Sequence, residues 1–366
     1  MIQRLMAACA LAVLAGHGAR AVEWEVEGPR GTFTWGGDRV ATSGLGNTPN
    51  WIHTRGEYSD VRLTFAYNLA RWAEAAVYLR APRAGRPGET GLAIVLAHDF
   101  HKQTTTYVTG AIRGVAAPAR IAVPVESWGA WHRVSILLKG GRLEVEIDGT
   151  RVQEVPDLGA HAELRYRLHR GFIGFPDLGH AYQVRDIRIE QLDREGNNAE
   201  ETIPLSGWKE RGGATSGLWS FAADGTIRGA NGHSILYAAG KVPDRFEFTT
   251  LVRSQNHVNG GVFLRGSPDA DKPRGFEIQV YSPVEAVYPT GSIYGLARSR
   301  TRVEYEGRWF LLQVRVDGTH CLVRLDGETV AEFDRVPVTG EAQIGLQIHT
   351  DNAAIEFRDL RLRRLH

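Results

Sequence analysis

Through most of this chain, apolar and polar residues alternate. Arg142-Leu143-Glu144-Val145-Glu146-Ile147 and Leu322-Val323-Arg324-Leu325 are clear runs. A period of two sends successive side chains to opposite faces of a strand, so these runs predict half-buried β-strands. Similar runs recur roughly every ten residues with turn residues between them, the spacing of an antiparallel sandwich. Asp148-Gly149 and Asp326-Gly327 each stand between two runs, the second being 151–155 and 329–333. An Asp-Gly pair in that place predicts a hairpin, because glycine accepts the positive φ of a primed turn.

The pattern occurs twice. Val77-Tyr78-Leu79-Arg80 answers Val262-Phe263-Leu264-Arg265, and Gly91-Leu92-Ala93-Ile94-Val95 answers Gly275-Phe276-Glu277-Ile278-Gln279. Thr109-Gly110-Ala111-Ile112-Arg113-Gly114 answers Thr290-Gly291-Ser292-Ile293-Tyr294-Gly295. Trp131 stands as far ahead of Asp148-Gly149 as Trp309 does of Asp326-Gly327. Ile173-Gly174-Phe175 answers Ile344-Gly345-Leu346, and Arg185–Ile189 answers Arg358–Leu362. Blocks matching in this order mean duplication. The chain is therefore read as all-β, two tandem jelly-roll sandwiches over 22–192 and 201–366. The polar, aperiodic stretch 191–201 joins them, and the first sandwich is expected to pack on the second.

A length of 366 residues agrees with two domains. An apolar fraction of 43% excludes wholesale disorder, and two cysteines exclude a disulfide scaffold. A formal charge of +1 argues against nucleic acid as partner. Residues 1–21 place Arg4 before the apolar run 5–15 and close on Ala19-Arg20-Ala21, the form of a signal peptide cleaved after Ala21. The run is too short to span a bilayer, which takes ~20 apolar residues. The expected protein is exported to the periplasm or secreted, without membrane insertion. Losing Arg4 and Arg20 with that segment takes the net charge to −1 and leaves Cys321 as the one thiol.

Alternation also sorts the candidate site residues. In 276–281, Phe276, Ile278 and Val280 share one face, and Glu277, Gln279 and Tyr281 share the other. Gly261, Phe263 and Arg265 take the outer positions of their strand, as do Gly345, Gln347 and His349. If these strands are neighbours, Arg265, Glu277, Gln279, Gln347 and His349 share an open sheet face, with Tyr294 just beyond. Amides and a carboxylate suit vicinal hydroxyls, tyrosines stack on sugar rings, and His and Glu move protons near neutrality. The plainer alternative is a solvated face with Arg265–Glu277 as a cross-strand ion pair. In the first half Ala93 and Val95 replace Glu277 and Gln279, and Arg113 replaces Tyr294. A site therefore belongs to the second half, with the first half a degenerate copy.

Rival constellations are weaker. His98-Asp99-Phe100-His101 has metal-ligand residue types but no second cluster at a telling spacing. Glu144 and Glu146 offer two carboxylates, as a retaining glucanase requires, but lie in the half without the site. Cys321 sits within a strand and reads as a packed residue. No G-x-S-x-G, G-x-x-x-x-G-K-[ST] or H-E-x-x-H occurs, which removes the usual hydrolase, nucleotide and zincin readings.

The second half resembles the 3-keto-disaccharide hydrolase domain family. The resemblance rests on Leu205-Ser206-Gly207-Trp208, Gly260–Arg265, Gly275–Val280, Thr290–Gly295, Gly307-Arg308-Trp309, Leu325-Asp326-Gly327, Ile344–His349 and Ile355–Leu360. The first half is similar to the same family but lacks its Glu-x-Gln strand. The chain departs from the family pattern at Val280-Tyr281-Ser282 and at His349-Thr350. The resemblance implies a concanavalin A-like jelly roll that acts on glycosides already oxidised at C3. A C3 ketone acidifies the C2 proton, so one base and one enolate stabiliser suffice to expel the C1 substituent. In that role the resemblance implies His349 or Glu277 as base and Arg265 or a divalent cation at the oxyanion. Gln279, Gln347, Tyr294 and Tyr281 would hold the oxidised sugar. The alternative is a carbohydrate-binding jelly roll without catalysis.

Overall fold

The computed structural model describes residues 22–46, 50–98, 103–121, 127–192, 202–211, 216–267, 275–302, 305–338 and 342–366. Residues 1–21, expected to be a signal peptide, most of the 191–201 joint and residues 99–102 of the His98 constellation lie outside them. The protein is all-β, as the alternation predicts. Among the described residues no helix is long and apolar enough to cross a membrane.

The first copy pairs a five-stranded sheet with a seven-stranded sheet, and the inward positions of both fill one apolar core. The second copy is built likewise, but two strands run through both layers. Strand Gln343–Arg364 pairs with Gly260–Gly266 at its start and with Arg245–Gln255 further on. Strand Ile227–Ala239 follows it across. In the first copy the same paths are broken into Arg39–Thr42 and Asn50–Thr54, and into Phe172–Asp177 and Tyr182–Gln191. The front layer of the second copy then contains, in order, Ser206–Glu210, residues 232–239, residues 343–350, Gly260–Gly266 and Phe276–Val280.

The duplication reaches into the backbone. Left-handed residues recur at matching positions: Arg80 and Arg265 (φ 49° and 54°), Asp148 and Asp326 (48° and 47°), Asp186 and Asp359 (56° and 53°). Non-glycine residues avoid this region, so its reuse marks local geometry that the fold demands. The bonds that pin the edge loop recur as well. Gly110 and Gly291 donate to the carbonyls of Val95 and Gln279, and Arg113 and Tyr294 to those of Ala93 and Glu277.

The two copies are in contact. Leu168 packs with Leu251 and Leu311 on the back sheet of the second copy. The Tyr166 carbonyl accepts from Gln313 (3.0 Å) and Arg324 (2.9 Å), and Arg86 pairs with Glu328 at 2.6 Å.

Arg265 departs from expectation. The pairing slips between Phe263 and Gly266, and the positive φ turns the side chain off the open face. Arg265 is 1% exposed, and its guanidinium donates to the carbonyls of Asp244 (2.8 Å), Gly318 (2.6 Å) and Pro337 (3.1 Å). Arg80 does the same in the first copy, donating to Ser59 and Gly140. These arginines tie loop carbonyls to the sandwich edge. Arg265→Ala should therefore lower unfolding free energy by about 3 kcal/mol or more, since it orphans buried acceptors of charged hydrogen bonds. Denaturant melts of Arg265→Ala and Arg80→Ala should show comparable losses. A neutral Arg265→Ala would rule out the tie.

Candidate functional site

The front sheet of the second copy arranges its side chains in rows. Val262, Ile278, Leu346, Ile348 and Leu236 point into the core. The alternate positions point outward. One row runs Tyr237–Gly345–Phe263–Glu277, and the next Ile235–Gln347–Gly261–Gln279. His233 and His349 face each other one row further on. Ile235, Tyr237 and Phe263 form their own apolar cluster, separate from the main core.

Two glycines hollow this surface. A Cβ at Gly261 would meet the Glu277 carboxyl Oε1 at 2.9 Å, and one at Gly345 would meet the Tyr237 ring at 2.7 Å. Glu277 thus lies over Gly261, and Tyr237 over Gly345. Gln279 and Gln347 flank the Gly261 hollow from the strands on either side.

Glu277 is 9% exposed, and its Oε1 has no hydrogen-bond partner. Burial pushes its carboxyl up to about 8, because water no longer solvates the anion and no cation compensates. The expected Arg265–Glu277 pair is absent, since Arg265 is turned to the loop carbonyls. Arg211 is close enough to Tyr237 for its charge to act on the phenol, and Lys209 is the cross-strand partner of Tyr237. Tyr237 is 2% exposed with an unpartnered hydroxyl, and burial raises it to about 12. Gln279 is anchored by its amide on Asn259 Oδ1 at 2.6 Å, whereas Gln347 is half-buried.

His349 is exposed and stands edge-on to His233, with ring centroids 4.3 Å apart. Partial desolvation and then the neighbouring His233 lower its affinity for a proton. His349 and Glu277 share the face but lie two strands apart and four residues along. That places their Cα atoms roughly 17 Å apart. They do not form an acid–base pair; they occupy two ends of one surface.

Tyr294 forms part of the rim. Its amide donates to the Glu277 carbonyl, its ring lies 5.2 Å from that of Tyr288, and it is 56% exposed. The backbone of Tyr281 is tied to Thr290 at the end of the same strand.

A divalent cation fits poorly. Among the described residues no three His, Cys, Asp or Glu side chains gather around one point, and Glu277 has amides and rings as neighbours. His98 accepts from the Trp72 amide at 3.0 Å. Glu144 is held by Arg142 and Arg151, and Glu146 by Arg151. Cys321 is buried, and desolvation lifts its thiol to about 12, as befits a packed residue.

Tyr237, His233 and Arg211 were not legible as site residues. His233, Ile235 and Tyr237 do alternate onto one face. Only the pairing of 232–237 with 345–350 shows that this face is the one carrying Gln347.

The architecture defines a tandem concanavalin A-like jelly roll, with a hollowed polar front sheet in its second copy. The chain belongs to the 3-keto-alpha-glucoside-1,2-lyase-like domain family, whose model matches it twice, over 16–190 and 200–363. Membership makes it a carbohydrate-active protein. Solved structures with a similar fold include one described as a glycosyl hydrolase from Parabacteroides distasonis (16% identity, 46% of this chain and 100% of that one, TM-score 0.40). Another is the carbohydrate-binding module CBM66 from Bacillus subtilis (14% identity, 47% and 98%, TM-score 0.33). No curated protein matches the chain by sequence.

The buried carboxyl carries a pH signature. A folded-state value of about 8 against the ordinary 4.5 means that the native state holds the proton more tightly than the unfolded chain. Its destabilising effect is absent below pH 4.5, grows as pH rises, and is complete above about 8. At about 1.4 kcal/mol per pKa unit, the effect at pH 9 has an upper limit of about 5 kcal/mol. Glu277→Gln should therefore melt higher than the parent at pH 9 and within a degree or two of it at pH 4. A pH-independent difference in thermal melts would contradict this assignment.

Proposed function

We propose that the second copy cleaves glycosides oxidised at C3, with Glu277 as the base. The reading rests on one observation: a buried carboxyl with an unpartnered oxygen, lying over a glycine hollow on the sheet face. A carboxylate deprived of water is a stronger base than an exposed one, and a value of about 8 is matched to neutral conditions.

The sugar ring lies over Gly261 between Gln279 and Gln347. Glu277 takes the proton from C2, and the C–H electron pair moves into the C2–C3 bond, leaving the charge on O3. A Gln347 amide N–H donates to that oxyanion. Collapse of the enolate forms the C1–C2 double bond and breaks the bond from C1 to the leaving oxygen, which picks up a proton. Water adding across C1–C2 completes a net hydrolysis; release before that step is a lyase outcome. His349 and His233, two residues beyond Gln347 along the face, line the side where the leaving group departs. No step is assigned to Arg265 or to a cation. The first copy, with Ala93 and Val95 in place of Glu277 and Gln279, has no base there. We further propose export, with residues 1–21 as the cleaved signal.

Incubating the full chain with a 3-keto-glucoside, and separately with the unoxidised glucoside, tests the reading. Loss of the keto-sugar alone is expected, with kcat/KM rising through about pH 8. Glu277→Gln should lower kcat/KM by about 10²-fold or more. Gln347→Ala should lower kcat with little change in KM. A Glu277→Gln variant of full activity would remove the base. Binding of the keto-sugar without turnover by the parent would instead favour a carbohydrate-binding jelly roll.

A further inference from the structure

The front sheet of the first copy has Ala93 and Val95 at the places of Glu277 and Gln279, yet it is neither flat nor plainly apolar. Its rows run Glu25–His53–Gly174–Tyr78–Ala93 and Glu27–Trp51–Pro176. The polar residues have moved from the Phe276–Val280 side, used in the second copy, to the opposite edge. A cavity of about 250 Å³ opens there, lined by Glu27, Trp51, Tyr78, Arg83, Pro87 and Pro176 among others.

Its walls are of two kinds. The rings of Trp51 and Tyr78 lie 5.8 Å apart and tilted by 51°, a bent aromatic surface. Trp51 is fixed by its indole N–H on the Arg83 carbonyl at 2.9 Å and by the His53 ring at 4.7 Å. Beside them, Glu27, the cross-strand partner of Trp51, and Arg83 line the same cavity. Arg83 is balanced by Glu25 at 2.7 Å and Asp359 at 3.5 Å, so it brings little net positive field. Behind Glu27 the wholly buried His53 has an Nε2 without a hydrogen-bond partner, 4.0 Å from the carboxylate. An aromatic wall beside acceptors and a neutralised guanidinium suits a ligand with one apolar face and a rim of hydroxyl donors. The volume admits one pyranose ring, below the usual size of drug-like sites.

We propose that the first copy is a binding site for a single neutral sugar ring, stacked on the half-buried Tyr78, which the buried Trp51 backs, and hydrogen-bonded to Glu27 and Arg83. It carries out no chemistry and holds glycan beside the second copy. The segment closing the cavity also meets the second copy. A Cβ on Gly85 would fall 3.1 Å from the Leu311 amide, and Ala84 joins the Leu251–Leu311 cluster. A ligand in the cavity therefore braces the contact between the copies.

The test uses the full chain carrying Glu277→Gln, which removes turnover at the other face without touching this one, and the Tyr78 variants report which face holds the sugar. Calorimetric titration with methyl glucoside and cellobiose should show binding, accompanied by a rise in Tm. Glucosamine and glucuronate, a cation and an anion of the same ring, should bind more weakly. Adding Tyr78→Ala should weaken binding about tenfold or more, equivalent to about 1.4 kcal/mol, while Tyr78→Phe keeps it. Circular dichroism and the melt of unliganded Tyr78→Ala separate lost stacking from a lost fold. If that variant fails to fold, Pro87→Trp, which fills the cavity from the half-buried residue at its rim, should abolish binding instead. Absence of binding by any of the neutral sugars, equal binding by a folded Tyr78→Ala chain, or preference for a charged sugar would each overturn the proposal. The catalytic reading of Glu277 stands or falls separately, on turnover of the keto-sugar.

Discussion

A sheet face normally presents a carpet of side chains, and nothing can sink into it. The second copy escapes this because glycine occupies two outward positions on adjacent strands, at 261 and 345. Without a Cβ there, the Glu277 carboxyl and the Tyr237 ring fold down over backbone and are shielded from water. The loss of solvation, rather than a charged neighbour, gives Glu277 its basicity. Such a group costs stability, and a fold keeps it only with a large core beneath. Here that core is the sandwich interior, to which every alternate residue of the same strands contributes.

The two copies show how a scaffold and a site separate. The scaffold is repeated to the level of single hydrogen bonds and left-handed residues: Arg80 and Arg265, Asp148 and Asp326, and the edge loops pinned beside Ala93 and Glu277. All of these hold loops to sheet edges and are indifferent to what the outer face carries. The outer face differs at nearly every row. The back sheets have also diverged in use. Leu251, Leu311, Gln313 and Arg324 of the second copy meet the first copy, whereas Ala66, Arg133, Ser135 and Glu146 stand at the matching places of the first. Their surroundings form an open groove of about 470 Å³.

The contact between copies mixes a small apolar patch with ion pairs such as Arg83–Asp359 and Arg358–Glu27. These charges sit close to the first copy's cavity. The same residues therefore serve both the seating of one copy on the other and the shape of the cavity wall. This economy follows from tandem stacking, in which the loops at one end of a sandwich are the nearest structures to its neighbour.

Alternation along the chain was enough to establish strands, the sandwich class, the duplication and which side of each strand faces the core. These are local properties, decided by the chemistry of residues two apart. It also placed Glu277, Gln279, Gln347 and His349 on a common face, because neighbouring strands in one sheet share their inside and outside. It failed at Arg265, where a slipped register and a positive φ reverse the side chain; alternation assumes an unbroken strand and cannot register a bulge. Nor could it show that residues 232–237 pair with 345–350 and bring Tyr237 and His233 to the site, since pairing between distant strands is settled by the packing of the whole sheet. The separation of Glu277 from His349, the burial that raises the Glu277 carboxyl and the cavity of the degenerate copy are likewise products of strand order and shielding. Those quantities exist only once the chain is folded, because they depend on what lies across the sheet and not on what lies next along the chain.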